Sequence, residues 1–242
     1  MRKSFNVNLR VWAFAFLVHF LAFNNANAQS NRSVYLDYSY GISSPLGDFA
    51  SRNLNNDEAG FAKGGLSSSF TIGYDFNDKG FGLLFKSQSH VNIFNSNGYQ
   101  RELNKSTTGI WSVYGDNYVT SSYMLGAKKI INLTSKSTFD FRALLGLAFC
   151  KTPQIESFES TLPYWFVELP TYASTLGYQF GLGYQYQANK RISIIASFEY
   201  FGASPEFGDI TSYASSGSIF LNTRTQPMNV VNTKIGVGVN LN

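Results

Sequence analysis

The chain has 242 residues, of which 17% are aromatic and only 14% are charged. Its single cysteine, Cys150, excludes an internal disulfide and a metal site built from several thiolates. The formal net charge of +4 falls to about +1 without the first 28 residues, because Arg2, Lys3 and Arg10 lie there. The charge therefore gives no reason to expect a nucleic-acid partner.

The first 28 residues have the pattern of a secretory signal peptide. Basic residues come first, residues 11–23 form an apolar stretch, and Ala26-Asn27-Ala28 is a small-x-small cleavage site. A transmembrane anchor is the alternative, but this stretch is shorter than the roughly 20 apolar residues of a spanning helix. We therefore predict cleavage after Ala28 and a single mature domain, an outer-membrane β-barrel over residues 29–242.

Bulky and small side chains alternate along eight stretches of the mature chain, which predicts eight strands because successive side chains of a strand point to opposite faces. The clearest is residues 172–187, where even positions are mostly aromatic or leucine and odd positions are small or polar. A tilted strand of about 9 to 11 residues crosses a bilayer, and this alternation is typical of one. In chain order the strands are residues 34–43, 66–76, 81–93, 118–131, 139–150, 172–187, 192–200 and 231–241.

The connections between these strands alternate in length. Short turns at residues 77–80, 132–136 and 188–190 alternate with long segments at residues 44–65, 94–117, 151–171 and 202–229. Outer-membrane barrels have short periplasmic turns and long extracellular loops. Residues 109–114 and 219–221 could also form strands, and we expect them to extend barrel strands beyond the membrane, since one extra strand would break the even count.

Two short motifs carry a resemblance to a known family. Residues 41–49, Gly-Ile-Ser-Ser-Pro-Leu-Gly-Asp-Phe, and residues 60–64, Gly-Phe-Ala-Lys-Gly, resemble the opening of the porin-like outer-membrane β-barrel domain family of Gram-negative bacteria. The resemblance implies an all-β fold, an eight-stranded antiparallel up-and-down transmembrane barrel, and location in the cell outer membrane. It implies no defined chemistry. A soluble lipocalin-like barrel is the alternative fold, and it would place the apolar face inside.

Eight charged residues share the inward parity, four acidic and four basic. The interior of an eight-stranded barrel is just wide enough for side chains to fill, so we expect these charges to pair as a plug. The alternative is a proton path, or a narrow channel for small solutes. The turns predict that Lys128 faces Asp140 and that Gln179 faces Glu199. The eight residues are Asp37, Asp75, Lys86, Lys128, Asp140, Arg142, Glu199 and Lys234.

His90 is the only histidine of the mature chain and so the first residue to weigh as catalytic. A histidine base needs a nucleophile within hydrogen-bond reach, yet Ser87 and Ser89 have the opposite parity. One histidine also makes no zinc site alone. We expect no catalytic residue, no metal site and no cofactor; a lipid A-modifying enzyme is the less favoured alternative.

The long segment at residues 151–171 contains an unusual apolar cluster. Tyr164, Trp165 and Phe166 could form a surface binding patch, or they could anchor the rim of the barrel in the outer leaflet. We expect outer-membrane lipid as one partner, an extracellular ligand or an envelope protein as another, and a monomeric barrel. The resulting functional hypothesis is a structural or surface-interaction protein.

Overall fold

The computed structural model describes residues 32–76 and 80–241. The predicted signal peptide and its cleavage site lie outside these residues, so that division of the chain stays a prediction. The described residues form thirteen strands, a 3₁₀ turn (Gly47–Ala50) and one helix, α1 (Ser96–Ser106). In chain order the strands are β1 (Arg32–Leu46), β2 (Ala62–Phe76), β3 (Phe81–Phe94), β4 (Trp111–Gly115), β5 (Asn117–Asn132), β6 (Ser137–Lys151), β7 (Ile155–Glu159), β8 (Trp165–Glu168), β9 (Tyr172–Gln187), β10 (Ile192–Ala203), β11 (Glu206–Ala214), β12 (Ile219–Thr225) and β13 (Asn229–Asn240).

Eight of these strands close into a barrel in the order β1-β13-β10-β9-β6-β5-β3-β2. Every neighbouring pair is antiparallel, and β1 closes the sheet by pairing with both β2 and β13. All eight predicted strands are present. The largest difference is at β2, which starts at Ala62 rather than at residue 66. The predicted all-β, eight-stranded antiparallel fold is confirmed.

The two faces of the barrel wall separate as the alternation predicts. On β9, Phe180 is 57% exposed, whereas its neighbour Gln179 is fully buried in the lumen. An apolar outer wall and a polar lumen are opposite to the arrangement of a lipocalin-like barrel, so that alternative is wrong. One exposed apolar residue from each barrel strand shows the extent of the outer wall: Tyr38, Leu66, Leu83, Leu125, Leu145, Phe180, Phe198 and Ile235.

Both register predictions are wrong by one step of the alternation. Lys128 faces Arg142 rather than Asp140. The turn between β5 and β6 is centred one residue further along the chain than predicted, because the Thr134 hydroxyl accepts the backbone N–H groups that follow it, 3.2 Å from that of residue 136 and 3.0 Å from that of residue 137. The shift keeps each side chain on its predicted face.

The hairpin between β9 and β10 shifts in the same way. Glu199 faces Gly181, and Gln179 faces Phe201. Here the Asn189 side chain closes the turn, since its Oδ1 accepts the N–H of Arg191 at 2.9 Å and that of residue 192 at 2.8 Å. A side chain that bonds the backbone two or three residues further on sets the turn length.

The other five strands form a second sheet, which we call the distal sheet, in the order β12-β11-β8-β7-β4. Residues 109–114 and 219–221 add no strand to the barrel, but the prediction that they extend its strands is wrong, because β4 and β12 are the edges of the separate sheet. A proline cannot donate to a strand ladder. Prolines occupy four of the breaks between the two sheets: Pro153, Pro170, Pro205 and Pro227.

Candidate functional site

The centre of the lumen is built around one carboxylate, Glu199 on β10. Lys86 Nζ lies 2.5 Å from its Oε1, and Lys234 Nζ lies 2.6 Å from its Oε2. Arg142 Nη1 is 3.4 Å from Oε1. All four side chains are buried, and they come from four different barrel strands. The ion cluster therefore joins opposite sides of the wall across the lumen.

A second group of charges lies between this centre and the short-turn end. Arg142 also bonds Asp140 in a bidentate way, with Nε 2.7 Å from Oδ1 and Nη2 2.8 Å from Oδ2. Lys128 Nζ lies 3.0 Å from Asp75 and 4.1 Å from the centroid of the Tyr35 ring, a cation-π contact. These pairs and the Glu199 cluster place seven of the eight predicted lumen charges in ion pairs.

Asp37 is the eighth predicted lumen charge, and it is buried without an ion-pair partner among residues 32–76 and 80–241. Its Oδ1 has no hydrogen-bond donor there. A buried carboxylate of this kind is expensive unless it is paired or protonated. Asp37 is thus the one of the eight predicted lumen charges that has no ion pair among the described residues.

Small inward residues make room for the bidentate pair of Arg142 with Asp140, which we call the Arg142 fork. A methyl group added at Gly183 would collide with the Arg142 guanidinium and with the Asp140 carboxylate. At Gly181, an added methyl group would lie 2.8 Å from Cγ of Glu199. Gly181 and Gly183 of β9 are therefore explained by the close approach of charged side chains.

An apolar layer closes the lumen at the end that carries the long connections. Phe49, in the 3₁₀ turn, is 1% exposed, and its ring packs edge-on against Tyr118 at 5.0 Å between centroids. The Tyr118 hydroxyl donates to the carbonyl of Gly60 at 2.8 Å, which holds the first long connection inward. Phe201 and Met228 are buried in the same layer.

Sequence reasoning missed the cap that Phe49 provides. The sequence does contain an indication of this cap. Phe49 is an apolar residue in a connection rich in polar residues and glycine, and it lies inside the motif at residues 41–49 that carried the family resemblance. Its packing partner Tyr118 lies on a distant strand, so the sequence alone could not place the contact.

His90 is buried inside the lumen, beside an asparagine and an aromatic ring. Its Nε2 lies 3.3 Å from Asn232 Nδ2, and its ring packs on Phe201 at 4.9 Å between centroids. Ser67 faces it across the β2–β3 pair, a cross-strand neighbour that the sequence analysis did not consider. In the described part of the chain, no hydrogen bond joins His90 to a serine or a carboxylate.

The distal sheet has an inner face that is packed like a soluble protein. Val113, Ile155, Phe207 and Ile210 are buried there. The predicted patch at Tyr164, Trp165 and Phe166 is not one surface, because consecutive residues of a strand point to opposite faces. Trp165 lies opposite Phe158 on the outer face, whereas Phe166 packs near Phe220 with 6.4 Å between ring centroids.

One ion pair lies on the inner face of the distal sheet, between Arg224 of β12 and Glu168 of β8, at 3.3 Å. Burial raises the pKa of Glu168 above its ordinary value, and Arg224 opposes that rise only in part. Burial likewise raises the pKa of Tyr99 on α1, and the charge of Glu168 adds to the rise.

Residues 32–76 and 80–241 lack both a membrane-spanning helix and a group of metal-binding side chains. No helix in these residues is long and apolar enough to cross a membrane. They also contain no cluster of three or more His, Cys, Asp or Glu side chains that could hold a metal ion.

Comparison with known proteins finds likeness in structure but not in sequence. No family model matches the chain, and no curated protein matches it. A major outer membrane protein from Thermus thermophilus is similar in structure, with a TM-score of 0.51 and 10% identity over 86% of this chain and 99% of that one.

Two further solved structures are similar at lower TM-scores. Neisserial surface protein A has a TM-score of 0.43 and 14% identity over 87% of this chain and 97% of that one. The attachment invasion locus protein of Yersinia pestis, solved with the heparin analogue sucrose octasulfate, has a TM-score of 0.41 and 14% identity over 86% and 97%. The closed eight-stranded sheet and the likeness to the Thermus thermophilus protein give the chain the fold of an outer-membrane β-barrel, and its apolar outer wall suits it to the bilayer of an outer membrane.

Proposed function

We propose that this protein is an integral outer-membrane barrel whose lumen is plugged by its own side chains and whose long connections act at the cell surface. Its role is structural or lies in surface interaction, rather than in transport or catalysis. Its partners are outer-membrane lipid on the barrel wall and an extracellular ligand or an envelope protein on the distal sheet, and the barrel is monomeric.

The observation that carries the plug is the cluster around Glu199. Three cations from three other strands converge on this one carboxylate across the lumen. A solute would have to separate these charges, and taking one partner from a buried pair costs about 3 to 5 kcal/mol. The apolar layer that contains Phe49 covers the same path at the end of the lumen that carries the long connections. Both features favour a plug over a narrow channel.

Exposed apolar side chains beyond the barrel support the role in surface interaction. Tyr114 is 64% exposed and Leu221 is 65% exposed, and both lie on the distal sheet rather than on the barrel wall. Large exposed apolar groups outside the hydrocarbon region mark interaction sites. The lipid A-modifying alternative lacks such support, because His90 is enclosed in the lumen.

The plug is tested by recording current across planar bilayers that contain the purified protein. We expect no sustained conductance. A pore-forming peptide added to the same bilayer at the end of each recording shows that openings could have been detected. Regular, reproducible openings by the wild-type protein would favour the narrow channel instead.

A further inference from the structure

The two edges of the distal sheet differ in whether another element covers them. The β4 edge is covered by α1, whose side chains replace a neighbouring strand. The N–H of Trp111 donates to Asn104 Oδ1 at 2.7 Å, and Asn104 Nδ2 donates back to the Trp111 carbonyl at 3.3 Å. The N–H of Val113 donates to Gln100 Oε1 at 3.1 Å. This edge is closed to further pairing.

The β12 edge has no such cover over its first half. In the described part of the chain, β11 is the only strand that pairs with β12, and six of the seven β12 residues are exposed. Ile219, Phe220 and Leu221 put apolar side chains on both faces of this edge. Proteins usually protect an edge with charged residues, proline or a bulge. None of these devices occurs within Ile219, Phe220 and Leu221.

The hairpin geometry identifies which backbone groups are free. The N–H of Ala214 donates to the Ser218 carbonyl at 3.0 Å, so this pair is a hydrogen-bonded one. Such pairs alternate along an antiparallel ladder, so Phe220 directs its N–H and C=O toward β11. Ile219 and Leu221 therefore direct theirs outward. No group within residues 32–76 and 80–241 pairs with them, so they form a row of free donors and acceptors with the spacing of a strand.

We propose that β12 binds an extended segment of another protein as a sixth strand of the distal sheet, a proposal that rests on the surface-interaction role. A row of alternating N–H and C=O groups is complementary to a polypeptide backbone, and strand addition to an exposed edge is a known mode of peptide recognition. The segment would carry bulky apolar side chains at alternate positions. Its side chains that lie beside Ile219 and Leu221 would extend the exposed apolar outer face of the distal sheet.

The outward N–H of Leu221 offers a selective variant. In Leu221→Pro, one donor of the free edge is lost while the hydrogen bonds that β12 makes to β11 remain, since proline is tolerated on the outer side of an edge strand. Ile219→Lys is the second variant, because an edge lysine opposes pairing by a different route. Tyr114→Lys is the matched control, since Tyr114 is equally exposed but lies on the covered edge.

The probe is a fluorescein-labelled peptide of alternating valine and threonine with a lysine at each end, titrated with the protein in detergent and followed by anisotropy. We expect saturable binding that becomes about tenfold weaker in Leu221→Pro, the effect of one lost backbone hydrogen bond. We expect weaker binding by Ile219→Lys and unchanged binding by Tyr114→Lys. The same peptide with alternate N-methyl groups should not bind.

Absence of saturable binding would overturn the proposal, as would equal binding of the N-methylated peptide, which would indicate apolar adhesion. A wild-type dimer that becomes a monomer in Leu221→Pro, seen by sedimentation, would assign the edge to a second copy of this chain and would also overturn it. Heat-dependent migration on gels reports the folding of each variant. The bilayer recordings stay silent in all these cases if the plug is correct, so the two proposals fail separately.

Discussion

The barrel and the distal sheet bury different sets of side chains. The barrel encloses ion pairs, such as that of Lys86 with Glu199, and exposes apolar residues such as Phe180. The distal sheet encloses apolar residues such as Ile155 and Phe207 on its inner face. The surrounding medium explains the difference. Apolar side chains gain no free energy by leaving lipid, so the barrel wall can expose them, whereas in water their burial stabilises the fold.

The strand breaks at the prolines mark where one medium ends and the other begins. Pro205 separates β10, which belongs to the barrel, from β11 of the distal sheet, and Pro227 separates β12 from β13. Ion pairs fill the middle of the lumen, whereas apolar residues such as Phe201 and Phe207 are buried on either side of the break at Pro205. The junction between the two sheets therefore predicts the upper limit of the hydrocarbon region.

The largest expected effect is at the centre of the lumen. Glu199→Gln keeps the shape of the side chain but leaves Lys86 and Lys234 without their shared counter-charge. Breaking a buried ion pair from one side costs about 3 to 5 kcal/mol. We expect a loss of that size in urea unfolding from lipid vesicles. Glu206→Gln, at an exposed carboxylate, is the control and should leave the midpoint unchanged.

The second largest effect is expected when the same substitution is made on the outer wall and on the distal sheet. Phe180→Arg places a charge in hydrocarbon and should destabilise the barrel by about 2 to 4 kcal/mol. Tyr114→Arg places the same charge in water and should change stability by less than about 0.5 kcal/mol. Folded yield in vesicles and unfolding midpoints measure both. Similar losses in the two variants would mean that the wall and the distal sheet share one medium.

A smaller effect is expected where charged side chains approach the backbone. In Gly183→Ala, the new methyl group meets Arg142 and Asp140, and overpacking of this kind costs about 1 to 3 kcal/mol. Gly177→Ala on the same strand is the matched control, since its nearest neighbour would lie 3.2 Å away on Phe201. The unfolding midpoint of Gly183→Ala should be the lower of the two. The reverse order would contradict the packing described for the Arg142 fork.

The smallest effect concerns pH and the distal sheet. Because the pKa of Glu168 is raised in the folded protein, the folded state holds the proton more tightly than the unfolded state does. The stability of the sheet should therefore fall as pH rises from the ordinary carboxyl value of 4.5 through the raised pKa. Hydrogen exchange of β8, corrected for intrinsic rates, should show this, and Glu168→Gln should remove it. Protection that rises with pH would contradict the assignment.

Much of the barrel could be predicted from sequence because strand alternation is local. The parity of Phe180 and Gln179 placed each on its correct face without knowledge of any partner. The inward charges followed from the same parity. The register did not, because the turns depend on side-chain hydrogen bonds of Thr134 and Asn189 that alternation does not contain.

The distal sheet and the Phe49 cap required information that is spread along the chain. Five short strands from three connections make the sheet, and none of them shows a long alternation. The prolines at its boundary are the local sequence feature that indicates the change from one sheet to the other. The contact of Phe49 with Tyr118 depends on closure of the barrel, which brings distant residues together.

Spin-label accessibility tests most directly the claim that the barrel wall lies in lipid while the distal sheet lies in water. Single cysteines replace Phe180 and Tyr114 in a Cys150→Ala background, and each is labelled with a nitroxide in vesicles. We predict that the label at position 180 collides mainly with oxygen, which concentrates in hydrocarbon, and that the label at position 114 collides mainly with a water-soluble nickel chelate. A label at position 180 that meets the nickel chelate as readily as the label at position 114 would contradict the account.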